Sequence, residues 1–310
     1  MSRRTIAIAA ALSVLALGSP LVIASANPLA DNLFHSGVDK YKQGDYQGAI
    51  DDYTKAIEIN PEYANAFANR GAAKNALRDY QGATYDYTRA IEINPKFALA
   101  YFNRGLAKDD SGEYEGAIAD YTKAIEIDPQ YAIAYVNRGN SKNKLGNYQG
   151  AIADYNKAIE INPLDALVYY NRGKAKYSLQ DYLGSIANYT KAIELDPQDA
   201  DAYNNRGLSK DNLKDYQGAI ADYDKSIAIN PQNAAAHFNR GNANFTLKDY
   251  QGAIADYDKV IEINPKLADA YRMRGVNKEL IGDLKGACRD WRKAADFGLT
   301  EPAKWVKKQC

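Results

Sequence analysis

Six asparagines recur at a constant interval of 34 residues: Asn69, Asn103, Asn137, Asn171, Asn205 and Asn239. A carboxamide carries donors and an acceptor, so a row of them can hydrogen-bond an extended peptide backbone without reading its side chains. Aromatic residues accompany the row at Phe34, Tyr41, Phe102, Tyr170, Tyr177, Phe238 and Phe245, and rings exposed in a groove serve as binding anchors. Residues suited to catalysis are sparse. The chain has two histidines, His35 and His237, and two cysteines, Cys288 and Cys310, too few for most metal sites built from those ligands. It contains no glycine-rich phosphate loop, no His-Glu-x-x-His and no Cys-x-x-Cys. Asp109 and Asp110 are adjacent in sequence, and neighbours on a helix point about 100° apart, so they make no facing acid pair. A solvated rim is their expected place. The residues predict no enzyme, no cofactor and no metal.

The 310 residues are 46% hydrophobic and 25% charged, with 39 basic and 39 acidic side chains. That is the composition of a folded soluble chain, and its charge balance argues against nucleic acid or an anionic membrane as partner. Residues 1–26 read as a cleaved signal peptide. Arg3 and Arg4 precede an apolar run from Thr5 to Leu17, Gly18 and Pro20 follow, and Ala24-Ser25-Ala26 forms a small-x-small cleavage pattern. The alternative is a retained anchor, which Gly18, Ser19 and Pro20 interrupt. The expected location is extracytoplasmic, periplasmic or secreted (the thylakoid lumen in a photosynthetic host), with no membrane insertion after cleavage. In such an oxidising compartment a short returning tail could join Cys288 to Cys310. The alternative is a buried Cys288 and a free, frayed Cys310.

The elements that must position these residues share one period. Prolines fall at 61, 95, 129, 163, 197, 231 and 265, and tyrosines 46, 80, 114, 148, 182, 216 and 250 and glycines 37, 71, 105, 139, 173, 207, 241 and 275 keep the same interval. A fixed period of this size means stacked supersecondary units. Each unit reads as two helices. In one, small and apolar residues at helical spacing run from Ala98 to Asp110, and Ser111-Gly112 breaks them. The next stretch, Tyr114 to Ile127, sets Tyr114, Ala117, Ile118, Tyr121, Ala124, Ile125 and Ile127 along one stripe. Asp128-Pro129 ends it, because proline disfavours helix at the residue before it. Neither helix can bury its stripe alone, so neighbouring units must stack into one core.

With each proline at unit position 32, the pattern resembles the tetratricopeptide repeat. Aromatics stand at position 4 (Phe67, Tyr101, Tyr135, Tyr169, Tyr203, Tyr271; His237 in one unit) and glycine at position 8. Alanine stands at position 20 (Ala49, Ala83, Ala117), tyrosine at 24 (Tyr53 through Tyr257) and alanine at 27 (Ala56, Ala90, Ala124). The resemblance implies an all-α fold, a right-handed α-solenoid superhelix of helix-turn-helix repeats. Its organisation would be a signal peptide at 1–26, a repeat domain at 27–301 and a C-terminal cap at 302–310. The repeats would lie at 30–63, 64–97, 98–131, 132–165, 166–199, 200–233, 234–267 and 268–301. Lysine replaces the family's tyrosine at position 11 (Lys74, Lys108, Lys142) and is expected on a solvated rim.

The resemblance also implies a function, binding of a protein partner as an extended peptide segment. In the family the first helix of each repeat lines a concave face, and positions 2, 5, 6, 9, 12 and 13 share that face. The six asparagines hold position 6, and the aromatics hold positions 5 or 12 in alternate repeats. The asparagine row is similar to the ladder that holds peptide in the repeat domain of the O-linked N-acetylglucosamine transferase. Chaperone-tail clamps of the family need basic residues at positions 2 and 5 or 6. Leu99, Ile133 and Leu167 and Phe102, Val136 and Tyr170 stand at positions 2 and 5 instead, so capture of a tail carboxylate is not expected. Alternatives stay open. The asparagines could bond neighbouring helices only, and the aromatics could pack inward after duplication of a two-repeat block. The chain could also be an assembly scaffold using its convex face or ends, a targeting or carbohydrate-binding subunit of an envelope enzyme complex, or self-associating.

Arginine holds position 7 from Arg70 to Arg274 but is Ser36 in the first repeat, and position 23 is acidic except at Asn188. Pairing each arginine with the acid of the preceding repeat, Asp52 with Arg70 through Asp256 with Arg274, leaves Ser36 needing no partner. Ion pairs between repeats are therefore expected, fixing register more than adding stability.

Overall fold

The computed structural model describes residues 27–310; the expected signal peptide lies outside them. All regular elements among the described residues are α-helices joined by short turns. They form two compact units, one ending at Pro163 and the other beginning at Leu164. The first holds α1 (Pro28–Lys42), α2 (Tyr46–Ile59), α3 (Ala64–Ala76), α4 (Tyr80–Ile93), α5 (Ala98–Ser111), α6 (Tyr114–Ile127), α7 (Ala132–Lys144) and α8 (Tyr148–Ile161). The second holds α9 (Ala166–Ser178), α10 (Tyr182–Leu195), α11 (Ala200–Asn212), α12 (Tyr216–Ile229), α13 (Ala234–Thr246), α14 (Tyr250–Ile263), α15 (Ala268–Leu280), α16 (Leu284–Asp296) and α17 (Thr300–Gln309).

Local chemistry sets these boundaries. Asp128 is extended, with φ −125°, because Pro129 follows it. Asp79 caps α4 by accepting a bond of 2.9 Å from the Gly82 amide. The residue there is glycine for want of space, since a Cβ would lie 2.1 Å from the cap carboxylate. Asp45, Asp181, Asp215, Asp249, Asp283 and Asn147 cap their helices in the same way.

Within a helix pair, the first helix rests on the position-24 ring of the second. A Cβ on Gly105 would stand 2.7 Å from the Tyr121 ring, so only glycine permits this approach. Tyr53, Tyr121, Tyr155, Tyr189, Tyr223 and Tyr257 are fully buried. Around Tyr121 pack Phe102, Ala117, Ala124 and Ile125, joined by Ala134 from the following repeat, so the core crosses the repeat boundary. Successive first helices (α1 with α3, α3 with α5, α5 with α7; α9 with α11, α11 with α13) touch more extensively than successive second helices. That puts the first helices on the crowded, inner side of each unit.

The ion pairs correct the sequence expectation. Arg104 bonds Asp120 of its own repeat through Nε and Nη2 at 2.9 and 2.6 Å, not Asp86 of the preceding one. Arg70 with Asp86, Arg138 with Asp154, Arg206 with Asp222, Arg240 with Asp256 and Arg274 with Asp290 repeat this geometry. The remaining nitrogen, Nη1, crosses the boundary to position 25 of the preceding repeat. Arg104 there bonds the Thr88 hydroxyl at 3.0 Å, and Arg240 and Arg274 reach Asp224 and Asp258. In the first repeat Ser36 and Lys40, each at 2.6 Å, supply what the missing arginine would give Asp52. The position-11 lysines are corrected too. Lys74, Lys108 and Lys142 form a second ion pair, each at 2.8 Å, with the same buried aspartate, so they are no solvated rim.

At the C-terminus α17 packs on α16, with the Trp305 ring 5.3 Å from that of Trp291. Cys310 is joined to Cys288, their Cα atoms 5.8 Å apart. Closing this 22-residue separation contributes about 3 kcal/mol by loop entropy. Reductant is therefore expected to speed hydrogen exchange across residues 284–310 and to leave exchange in residues 27–163 unchanged.

Candidate functional site

The first helices carry all the asparagines and aromatics that the sequence assigns to a peptide site, but at different depths. Four of the six asparagines show bonds inside the stack. Asn69 bonds the Tyr53 hydroxyl, and Asn137 donates to the Ile133 carbonyl at 2.8 Å. Asn205 donates to the Tyr170 hydroxyl at 2.9 Å and accepts from Asn204 at 3.2 Å, while Asn239 donates to Asn204 at 3.1 Å. Asn103 is buried, and Asn171 is half-buried. Asn205 and Asn239 thus join neighbouring first helices, Asn69 meets a second helix and Asn137 bonds within its own.

The aromatics divide by position. Those at position 5 turn inward onto the position-24 tyrosine of their own repeat. Phe34 lies 5.8 Å from Tyr53, Phe102 5.7 Å from Tyr121, Tyr170 5.7 Å from Tyr189 and Phe238 5.6 Å from Tyr257. Phe102 and Tyr170 are only 1% and 4% exposed, which corrects the expectation of open anchors at those two, while Phe34 and Phe238 are half-buried. Position 12 has other ring partners. Tyr41, Tyr177 and Phe245 are half-buried and pair edge-on or tilted with the first ring of their second helix, Tyr46, Tyr182 and Tyr250, at 5.2, 5.4 and 6.1 Å. These ring pairs reach solvent at the C-terminal ends of the first helices. Burial and the neighbouring Tyr46 push the Tyr41 hydroxyl up to about 12, so it stays a neutral donor at any physiological pH.

Asp109, expected on a solvated rim, is instead gripped. It accepts from Ser141 at 2.6 Å and pairs with Lys144 at 2.5 Å. The residue at the same position three repeats later, Asp211, drew no attention in the sequence because an isolated aspartate at a helix end is common. Burial raises its carboxyl above the ordinary range.

His237 is buried in the aromatic slot, with Nδ1 3.4 Å from Asp256 and Nε2 3.2 Å from the Pro231 carbonyl, and His35 is exposed beside Phe34. Among the described residues no cluster of three or more His, Cys, Asp or Glu side chains could hold a metal, and no helix is long and apolar enough to cross a membrane. Asn188 and Asn244, each opening an Asn-x-Thr sequence, lie inside helices α10 and α13. The face offers rings, carboxamides and isolated charges, a chemistry of gripping.

Family models describe the same repeats. A model for the TPR repeat matches residues 37–77, 110–145, 139–180, 173–210 and 212–248, together more than half of the chain. Two models for the tetratricopeptide repeat match 234–267 and 86–119. No curated protein matches. Among solved structures, the C-terminal part of a TPR repeat-containing protein from Cytophaga hutchinsonii is 22% identical, with TM-score 0.65, covering 77% of this chain and 98% of that one. MamA is 26% identical, with TM-score 0.51, covering 58% and 96%. YrrB, described as a TPR protein with an unusual peptide-binding site, is 24% identical, with TM-score 0.54, covering 59% and 95%.

Proposed function

The chain belongs to the tetratricopeptide repeat family of protein-interaction scaffolds, and from that premise we propose that it is exported and holds an extended segment of a partner protein on its first-helix face. The observation that carries the reading is the row of half-exposed rings at position 12, Tyr41, Tyr177 and Phe245. Rigid, amphipathic side chains of this kind supply contact area at low entropic cost and dominate binding energy at interfaces. Asn137 in the first unit and Asn171 in the second are half-buried carboxamides and can bond a peptide backbone with whatever valence the stack leaves. Export is supported by Arg3-Arg4, the apolar run and Ala24-Ser25-Ala26. The Cys288–Cys310 bond supports it too, since such bonds persist in oxidising compartments.

Two measurements test this. Edman sequencing of the protein from the envelope or medium is expected to begin at Asn27, and recovery from the cytoplasm with an intact start would refute export. A photo-crosslinking residue in place of Tyr177 is expected to trap one discrete partner in cells. The same residue at Lys191, exposed on α10, is expected to trap none. A partner caught at Lys191 alone would move binding to the second-helix side.

A further inference from the structure

Two repeats carry an aspartate at position 12 of the first helix, and their surroundings differ in one respect. In the first unit, Asp109 has its cation within the chain. Lys144, one residue past the equivalent position of the following repeat, pairs with it at 2.5 Å and lies 4.6 Å from the centre of the Tyr114 ring. Ser141 holds the other carboxylate oxygen. In the second unit, the residues equivalent to Lys144 and Ser141 around Asp211 are Thr246 and Ala243. The Thr246 hydroxyl turns back to the Asn242 carbonyl of its own helix at 3.0 Å. The residue equivalent to Tyr114 is kept, as Tyr216.

Most cations of the helices around Asp211 are committed elsewhere. Arg206 and Lys210, on its own helix, pair with Asp222. Arg240, on the next first helix, pairs with Asp224 and Asp256. On the preceding one Lys176 pairs with Asp181, Lys174 lies over the Tyr170 ring and Arg172 bonds Asn188. Lys225 on α12 and Lys214 and Lys248 in the turns after α11 and α13 are exposed, and no lysine or arginine among the described residues pairs with Asp211.

One further observation points at the same spot. The neighbours at position 12, which are Asn75 and Asn143 on either side of Asp109, are Tyr177 and Phe245 on either side of Asp211. The Tyr177 hydroxyl is held toward α11 by a bond of 3.0 Å from Asn212. Aromatic residues thus stand in the adjoining repeats where the internal lysine is missing, and rings beside a carboxylate favour a cation over any neutral group.

We propose that Asp211, with Tyr177 and Phe245 at the same position of the adjoining repeats and Tyr216 at the position of Tyr114, is a receptor site for a lysine or arginine side chain of the bound segment, in the place that Lys144 fills for Asp109. This rests on the reading of the first-helix face as a peptide site and assigns a chemistry to its ligand, an extended segment with a basic residue.

The test is a selection of random peptides displayed on phage against the immobilised full chain, repeated on Asp211→Asn and on Thr246→Lys. The second variant puts back the internal cation at an exposed position that Lys144 shows to be tolerated. Peptides enriched on the unmodified chain are expected to share one lysine or arginine, and their affinity is expected to fall about 10-fold or more in both variants, whose melting curves stay unchanged. Enriched peptides without a fixed basic residue, or basic peptides binding all three chains equally, would overturn the pocket and leave the peptide face standing. No enrichment on the unmodified chain would overturn the peptide face and the pocket with it. If Asp211→Asn failed to fold, the Thr246→Lys comparison alone would decide.

Discussion

Replacing Asp120 by alanine is expected to cost the first unit about 3–5 kcal/mol, because it strands two cations at once. Asp120 is 3% exposed and receives Arg104 through two bonds and Lys108 through a third. Neither cation pairs with a second carboxylate, and Arg104 is left with the Thr88 hydroxyl and the face of the Tyr101 ring. Asparagine at the same place is expected to cost much less, for the fifth repeat already contains the substitution. Asn188 accepts from Arg172 at 2.6 Å and donates to the Gly184 carbonyl, while Lys176 turns to Asp181. Urea titration of Asp120→Ala and Asp120→Asn, with hydrogen exchange followed across residues 98–131, measures both. Equal losses would show that the carboxylate charge carries the whole effect and that the shape and hydrogen bonds an asparagine keeps contribute nothing.

Alkaline unfolding is the second large effect expected. Burial raises the position-24 tyrosines Tyr53, Tyr87, Tyr121, Tyr155, Tyr189, Tyr223 and Tyr257 above their ordinary value. A group whose proton is held more tightly in the folded chain contributes stability that is whole below its unfolded pKa, about 10 for tyrosine, and drains away as pH rises beyond it. Several such groups spread along both units act together. The helix signal in circular dichroism and most of the tyrosinate absorbance are therefore expected to change in one joint step above about pH 10. Full tyrosinate absorbance from a chain that keeps its helices would show that these rings are not sealed.

The helices were legible residue by residue, and the ion pairs were not. The spacing predicts Tyr114–Ile127, and α6 has those bounds; α5 ends one residue beyond the expected Asp110. Such ends are written locally, by a proline after an extended residue and by a cap before a glycine. Partner choice is not local. Ser36 suggested that the first repeat lacks an arginine because Asp52 belongs to the next, yet a serine and a lysine one turn apart satisfy that carboxylate. The same limit hid the depth of the aromatics. Helical periodicity says that positions 5 and 12 share a stripe, but the second helix covers only part of it. Phe102 falls under that cover and Tyr177 outside it. Asp211 was invisible for a third reason, since its interest lies in a lysine that another repeat has and its neighbour lacks.

Each arginine except Arg172, which meets Asn188, keeps its carboxylate sixteen residues away in the same block of sequence and asks of the preceding block only one polar side chain at one place. A gene segment encoding one block, copied or lost by unequal recombination, would carry its buried charges already neutralised, and the new junction would need a single compatible side chain. The number of blocks is therefore free to drift over generations while each intermediate remains a folded protein.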